Sequence, residues 1–245
     1  MRTEILGINF DNDNSKTLIN KILDALENNQ KCFVVTPNPE IVMLAKKDKE
    51  LKKIINSADI IVPDGIGIVL ASKLNKIKIK NRVAGYDLVQ DFFSVINKNN
   101  KDYKIYFLGG KKEIIEMAQK NMSEKYPGLN IVGVHDGYFD NKNNKEAEKI
   151  ISDINSKQTD ILLVGMGAPK QEKWIYNNKN KLSAKIFIGV GGSFDVMSGK
   201  IKRAPIFFQK LGLEWLYRFL KQPKRFFRIL AIPKFIFSVL IEKIS

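Results

Sequence analysis

Hydrophobic and polar positions follow two different patterns that alternate along this chain. Apolar runs of strand length are followed by longer segments in which apolar residues recur at helical spacing. The runs, with the residues that end them, are CFVVTPNPE (32–40), ADIIVPDGIGI (58–68), YKIYFLGG (103–110), TDILLVGMGAPKQ (159–171) and AKIFIGVGGSFD (184–195). This alternation is typical of βα units. It predicts an α/β protein with a mostly parallel, doubly wound sheet.

Three other segments complete this prediction. KTLINKILDALENN (16–29) has apolar residues at helical spacing and stops at an Asn pair, which predicts a helix. NIVGVHDGYFDNKNN (130–144) predicts a further strand followed by a loop. The segment after the last apolar run, VMSGKIKRAP (196–205), predicts a loop.

The pattern changes near residue 200, where the βα alternation gives way to aromatic and basic helix interrupted by prolines at 205, 223 and 233. We therefore divide the chain into a core at 1–199 and a helical appendage at 200–245. The longest uncharged apolar run of the appendage, FIFSVLI, is far shorter than the ~18 residues needed to cross a bilayer. The appendage is predicted to lie on a membrane without spanning it.

Charge is concentrated in the same appendage. The chain has a net charge of +15, and residues 200–245 hold 11 Lys and Arg against only Glu214 and Glu242, a net charge of +9. The segments IFF, WLYRF, RFF and FIF make this region aromatic as well as basic. Basic and aromatic residues together indicate an anionic surface as the partner.

The single cysteine and the single histidine limit the possible chemistry. Cys32 has no partner for an internal disulfide or a CxxC metal site, which fits a reducing compartment. The N-terminal segment lacks the apolar region of a signal peptide, so we expect a cytoplasmic protein. With only His135, a Ser/His/Asp triad or a multi-histidine zinc site is hard to build. A general base is therefore expected to be a carboxylate.

Polar and small residues collect where the predicted strands end, which is where open parallel sheets bind ligands. These residues are Thr36, Asn38, Asp64, Gly109, Gly110, Gly165, Gly167, Gln171, Gly191, Gly192 and Asp195. No GxxxxGK[ST] loop occurs, and GMGAPK and GVGGSF lack the third glycine of the dinucleotide fingerprint, so no nicotinamide cofactor is expected. Each glycine loop alone is as consistent with tight packing as with ligand contact.

Several candidates have a simpler structural alternative. The DND at 11–13 matches a metal-binding DxD pattern, but a turn and helix N-cap is favoured, and no metal is assigned there. Asp64 before Gly65 is an even choice between a catalytic carboxylate and a helix cap. Arg82 is more often a solvated charge than a ligand, and Gln171 would normally lie on a helix surface.

The segments TPNPE, VPDGIGIV, RVAGYDL, FLGG, GAPKQEKW and GVGGSFDVMSGKIKRAP, in this order, closely resemble the bacterial TagA/WecG/CpsF family of glycosyltransferases. The resemblance covers essentially the whole chain, including the basic appendage. It implies a Rossmann-like core with helices on both faces of the sheet and an appendage that completes the active site at the membrane.

The resemblance also implies a reaction, in which N-acetylmannosamine passes from its UDP donor to the 4-hydroxyl of undecaprenyl-diphosphate-linked N-acetylglucosamine. The transfer would invert the anomeric carbon, need no metal or cofactor, and start the wall teichoic acid linkage unit. It would take place on the inner face of the cell membrane.

The family motifs imply roles for individual residues. Asp64 would be the base, and Thr36 and Asn38 would orient the sugar. Arg82 and Gln171 would hold sugar or phosphate, and Asp195 with Gly191 and Gly192 would contact the nucleoside. The nucleotide site would also include Gly109, Gly110 and Gly165. Arg218, Arg225 and Arg228 match the family's tail arginines and would bind the diphosphate or, alternatively, lipid headgroups.

Other classes remain open at this stage. Relatives with similar motifs use related donors such as N-acetylmannosaminuronic acid. A nucleic-acid-binding protein would explain the charge, but no nucleic-acid motif is present and no nucleic acid is expected. A soluble sugar-nucleotide epimerase or dehydrogenase would leave the appendage without a role. The sequence leaves a homo-oligomer open.

Overall fold

The computed structural model describes residues 2–74, 78–80, 82–139, 144–221 and 230–244. It groups the chain into two compact units. The first unit comprises Met1–Asn14, Thr36–Ala84 and Arg203–Ser245, and the second comprises Ser15–Val35 and Gly85–Lys202.

The described strands and helices follow one another in chain order. The strands are β1 (Arg2–Ile5), β2 (Ile8–Asp11), β3 (Cys32–Val35), β4 (Ile60–Ile61), β5 (Lys104–Gly109), β6 (Asn130–His135), β7 (Ile161–Gly165) and β8 (Ile186–Gly189). The helices are α1 (Ser15–Glu27), α2 (Pro39–Lys47), α3 (Lys49–Asn56), α4 (Ile66–Ser72), α5 (Gly85–Asn99), α6 (Lys112–Lys125), α7 (Asn144–Ser156), α8 (Lys170–Asn178), α9 (Ser193–Met197), α10 (Ile206–Lys210), α11 (Glu214–Lys221) and α12 (Ala231–Ile244).

The second unit is built on a parallel sheet. Its strands lie in the order β3-β8-β7-β5-β6, and every one of these pairs is parallel. Strands β7 and β8 are buried at every position, which is typical of a parallel sheet flanked by helices. The ring of Phe107 on β5 packs against Phe93 of α5 at 6.1 Å and Phe194 of α9 at 5.2 Å, between ring centroids. The predicted α/β fold with a mostly parallel sheet is confirmed.

The second unit also corrects one detail of the sequence reading. A loop was expected after residue 195, but α9 continues through Val196 and Met197. Phe194 and Met197 are buried, so packing of these two apolar residues extends the helix beyond the glycines that precede it. The strand expected in 130–144 is present as β6.

The first unit contains an antiparallel hairpin, β1 and β2, joined through Leu6 and Gly7 at positive φ. Asp11 ends β2, where its buried carboxylate accepts a hydrogen bond from the backbone N–H of Ile61 at 2.8 Å and pairs with Arg2 at 3.4 Å. The expected turn and helix cap is therefore wrong for Asp11. Its carboxylate instead satisfies a backbone donor of β4, a long-range contact that a local pattern does not reveal.

From Arg203 onward, the appendage belongs to the first unit. Helix α12 packs against α2 and α4, with Phe235 fully buried and Val239 nearly so. The Glu242 carboxylate accepts a hydrogen bond from the Leu6 backbone N–H at 3.3 Å, which ties the last helix to the first hairpin. The boundary at residue 199 stays a prediction. Within the described ranges, no helix has both the length and the apolar character needed to cross a bilayer.

Candidate active site

Two loops of the first unit bring Thr36, Asn38 and Asp64 into neighbouring segments. The Asp64 backbone N–H donates to the carbonyl oxygen of Pro37 at 3.4 Å. A β-carbon at Gly67 would lie only 2.7 Å from Cγ of Pro39, so the start of α4 rests directly on the start of α2. Thr36, Asn38 and Asp64 are all half-buried. These three predicted site residues therefore share one surface region of the first unit.

Helix starts explain how these loops are held. The Asn38 side-chain oxygen accepts from the Ile41 backbone N–H at 3.0 Å, and Pro39 occupies the first turn of α2. Helix α4 begins differently, because Gly65, at φ +91°, occupies its N-cap position. Asp64 thus lies one residue before the cap position.

Arg82 binds the appendage. Its Nη1 donates to the carbonyl oxygen of Gln209 at 3.2 Å, and its Nη2 lies 4.0 Å from Oε2 of Glu214. Arg203 approaches the same carboxylate from its other oxygen, with Nε donating to Oε1 at 3.5 Å. The three charged side chains are only 15–23% exposed. Two guanidinium groups thus share one carboxylate.

The turn between α10 and α11 lies close to the loop that carries Asp64. Gly212 has φ +71°, and a β-carbon there would lie 2.7 Å from Cβ of Ile66, the first residue of α4. Because Ile66 follows Asp64 by two residues, the appendage packs next to the predicted base. The residue that sequence reasoning missed here is Glu214, which was counted as one of two acids in a basic segment. The signal that could have identified Glu214 is the presence of an acid in a segment with eleven basic residues.

Of the tail arginines, Arg218 lies in α11, and its side chain lies outside the described part of the structure. Arg225 and Arg228 lie outside the described residues altogether. Their proposed contacts with the diphosphate stay predictions.

Close packing accounts for the strand-end glycines of β5 and β7. The Gly110 backbone N–H donates to the Gly165 carbonyl oxygen at 3.1 Å, and a β-carbon at Gly109 would collide with the same carbonyl. A β-carbon at Gly165 would lie 2.5 Å from the ring of Phe194. Side chains are therefore excluded at Gly109 and Gly165 for structural reasons. Their contact with nucleotide stays a prediction.

Gly167 and Gly191 are different. Both have positive φ, +76° and +52°, and a β-carbon at either would meet no atom of the described residues within 4 Å. Gly191 and Gly192 form the turn that leads into α9, and Asp195 is half-buried in the first turn of that helix. At Gly191, no side chain or backbone of the described residues covers this turn.

Gln171 is buried behind this turn. It is 2% exposed, its Oε1 accepts from the Gly191 backbone N–H at 2.9 Å, and its Nε2 donates to Oε1 of Glu172 at 2.8 Å. The alternative of a helix-surface position for Gln171 is wrong. Burial raises the pKa of the Glu172 carboxyl, against the smaller opposing effect of the hydrogen bond from Gln171. The sequence analysis did not select Glu172, although this residue directly follows Gln171 in the GAPKQEKW motif.

Comparison with known proteins identifies the family. The model of the glycosyl transferase WecG/TagA/CpsF family matches residues 3–245. A Bacillus subtilis (strain 168) protein is 37% identical over 249 residues, covering 99% of this chain and 93% of the relative. A Staphylococcus aureus (strain MW2) protein is 36% identical over 240 residues, covering 97% and 92%. Each of these two proteins is named N-acetylglucosaminyldiphosphoundecaprenol N-acetyl-beta-D-mannosaminyltransferase. The match includes the appendage, and the chain belongs to the glycosyl transferase WecG/TagA/CpsF family.

Proposed function

We propose that this protein transfers N-acetylmannosamine from UDP-N-acetylmannosamine to the 4-hydroxyl of N-acetylglucosamine-diphospho-undecaprenol, the step that starts the wall teichoic acid linkage unit. The new bond is β-1,4, with inversion at the anomeric carbon and without a metal. The observation that carries the proposal is the similarity over almost the full length to relatives named for this transfer. The arrangement of Asp64, Thr36, Asn38 and the Arg82 cluster in the first unit supports it.

In this mechanism the acceptor oxygen attacks the anomeric carbon as the bond from that carbon to the UDP oxygen breaks. Asp64 takes the hydroxyl proton, which makes the oxygen a better nucleophile at the moment of attack. The place of Asp64, half-buried three residues after β4 and two residues before the start of α4, supports this role. Thr36 and Asn38 orient the sugar. The Asn38 side-chain oxygen already caps α2, so its amide NH₂ is the group that can donate to a sugar hydroxyl.

The leaving UDP needs its growing negative charge stabilised. The cluster of Arg82, Arg203 and Glu214 holds two guanidinium groups and lies in the same unit as Asp64. Arginine is suited to this task because its planar fork matches two phosphate oxygens. Arg218, Arg225 and Arg228 add further guanidinium groups from the appendage. Within the second unit, Asp195 and the Gly191–Gly192 turn are our candidates for contact with the nucleoside.

The acceptor is lipid-linked, so we place the protein peripherally on the inner face of the membrane. Large apolar side chains of the appendage are exposed, including Ile206 and Phe207 in α10, at 69% and 68%, and Phe237 in α12, at 65%. Together with the net charge of +9 in residues 200–245, they suit an anionic lipid surface.

The experiment is product analysis after the full-length protein is mixed with a lipid-diphosphate N-acetylglucosamine acceptor and, one at a time, a panel of UDP-sugars. We expect a β-linked disaccharide from UDP-N-acetylmannosamine. Its linkage and anomeric configuration are read from the NMR spectrum of the released sugar. Transfer from another UDP-sugar only, such as the mannosaminuronic acid, would assign the protein to a different surface polysaccharide.

A further inference from the structure

The buried acid Glu172 has no part in the mechanism above, and its position in α8 calls for an explanation. It is 2% exposed, directly beside Gln171, and its Oε1 accepts the hydrogen bond from the Gln171 amide. Its second carboxyl oxygen has no hydrogen-bond partner in the described part of the chain. Placing an acid in such a site costs stability, so a compensating role is expected.

We propose that Glu172 is a positioning residue that fixes the orientation of the Gln171 side-chain amide, so that Gln171 holds the Gly191–Gly192 turn in the shape that receives the donor nucleotide. The part about the nucleotide rests on the proposed function. The part about the turn rests on geometry alone.

The argument begins with the two ends of the amide. A glutamine side chain presents an acceptor and a donor of nearly equal size, and it binds a backbone N–H only with the oxygen. The hydrogen bond from Nε2 to Glu172 selects the orientation in which Oε1 faces the Gly191 N–H. In the reversed orientation two donors would face each other at Gly191. The acceptor on Glu172 excludes that arrangement.

The strand behind the amide leaves room for the Gln171 side chain. A β-carbon at Gly189, the last residue of β8, would lie 2.8 Å from Nε2 of Gln171. Gln171 therefore occupies the space that a side chain at Gly189 would need. Gln171 therefore supports the turn from the strand side, and no atom of the described residues lies within 4 Å of a β-carbon built on Gly191.

The hydrogen bond from Gln171 sets what can replace Glu172. Burial raises the pKa of the Glu172 carboxyl. A carboxamide of the same shape should keep the contact, because its oxygen also accepts a hydrogen bond from the Gln171 amide. An apolar side chain of similar length should fill the site, but it accepts no hydrogen bond and so leaves the Gln171 amide free to adopt either orientation.

The test compares Glu172→Gln with Glu172→Met in the full-length protein. Hydrogen exchange of the peptide that contains the turn reports whether the Gly191 N–H stays protected. We expect exchange in the Glu172→Met protein to be about tenfold faster than in the parent, and exchange in the Glu172→Gln protein to be within about threefold of it. Isothermal titration with UDP should show about tenfold weaker binding for the Met variant only.

Two further variants separate positioning from a general loss of stability. Trp174→Phe perturbs another buried residue of α8, and it should change the melting temperature without changing turn exchange or UDP affinity. Gly189→Ala pushes on the Gln171 amide from the strand side and should reproduce the Met variant, which keeps the test decisive if Glu172→Met does not fold.

Each outcome decides a separate claim. Unchanged turn exchange in both Glu172→Met and Gly189→Ala, or a Gln variant as impaired as the Met variant, would overturn the inference. If the variants show faster turn exchange but the parent protein does not bind UDP, the positioning role of Glu172 is supported and the proposed UDP-sugar donor is contradicted.

Discussion

Helix α12 offers a matched pair of phenylalanines, because Phe235 is fully buried and Phe237, two residues later, is 65% exposed. Phe235 lies on the side of the helix that packs against the first unit, whereas Phe237 belongs to the apolar surface that we assign to the membrane. Replacing each with alanine should therefore affect two different properties, the stability of the fold and the affinity for membranes. Phe235→Ala should lower the stability of the fold, and Phe237→Ala should lower membrane affinity.

The magnitudes follow from burial. Truncating a fully buried phenylalanine costs about 3–5 kcal/mol of unfolding free energy, whereas a surface change costs within about 0.5 kcal/mol. The exposed part of Phe237 amounts to roughly 100 Å² or more, and partial insertion of that area at about 25 cal/mol per Å² contributes about 2 kcal/mol to lipid binding. By the usual conversion this corresponds to about thirtyfold weaker partitioning.

Two assays read the two effects. Urea unfolding followed by tryptophan fluorescence uses Trp215, which lies in α11 of the same unit. Cosedimentation with anionic liposomes measures partitioning. Equal destabilisation of the two variants would refute the packing of α12 described above. Parental liposome binding by Phe237→Ala would refute the assignment of that face to the membrane.

Four further predictions concern the site. Asp64→Asn should melt near the parent temperature and bind UDP but transfer sugar at least about a hundredfold more slowly in a radiolabel transfer assay, since asparagine cannot take the acceptor proton; near-parental turnover would make Asp195 the next candidate base. Excess EDTA should leave turnover nearly unchanged, and loss of activity with rescue by magnesium or manganese would bring Asp11 and Asp13 back as candidate ligands. Arg82→Ala and Glu214→Gln should each lower kcat/KM, and the double variant should match Arg82→Ala alone; strictly additive losses would show that Glu214 does not act through Arg82. Because the pKa of Glu172 is raised above 4.5 in the folded protein, the unfolded chain loses this proton first as the pH rises. Parent stability should therefore fall above about pH 4.5 relative to Glu172→Gln, by up to about 1.4 kcal/mol per pH unit, in urea melts; a constant difference across pH would contradict this.

Local pattern was sufficient for the kinds of element and for the start of α2. Strands β7 and β8 read as continuous apolar runs because both of their faces are buried, and this is visible without any knowledge of neighbours. Asn38 and Pro39 mark the start of α2 by chemistry that acts within one helical turn. The family motifs also brought Asp64 forward, although its role remains to be tested.

Tertiary structure decided what depends on partners far away in the chain. Strand β8, the last in sequence, lies between β3 and β7, an order that no periodicity encodes. The sequence predicts a turn at Asp11, but in the fold its carboxylate accepts a hydrogen bond from the backbone N–H of Ile61. Helical spacing predicts a surface position for Gln171, whereas in the fold its side chain is buried and bonded to Gly191. Glu214 was noted only as an acid in a basic segment, and the fold places it beside Arg82. The physical reason is the same in each case, because helix and strand periodicity reflects contacts between near neighbours, whereas a buried polar group is explained only by the particular donor or charge that the fold brings to it.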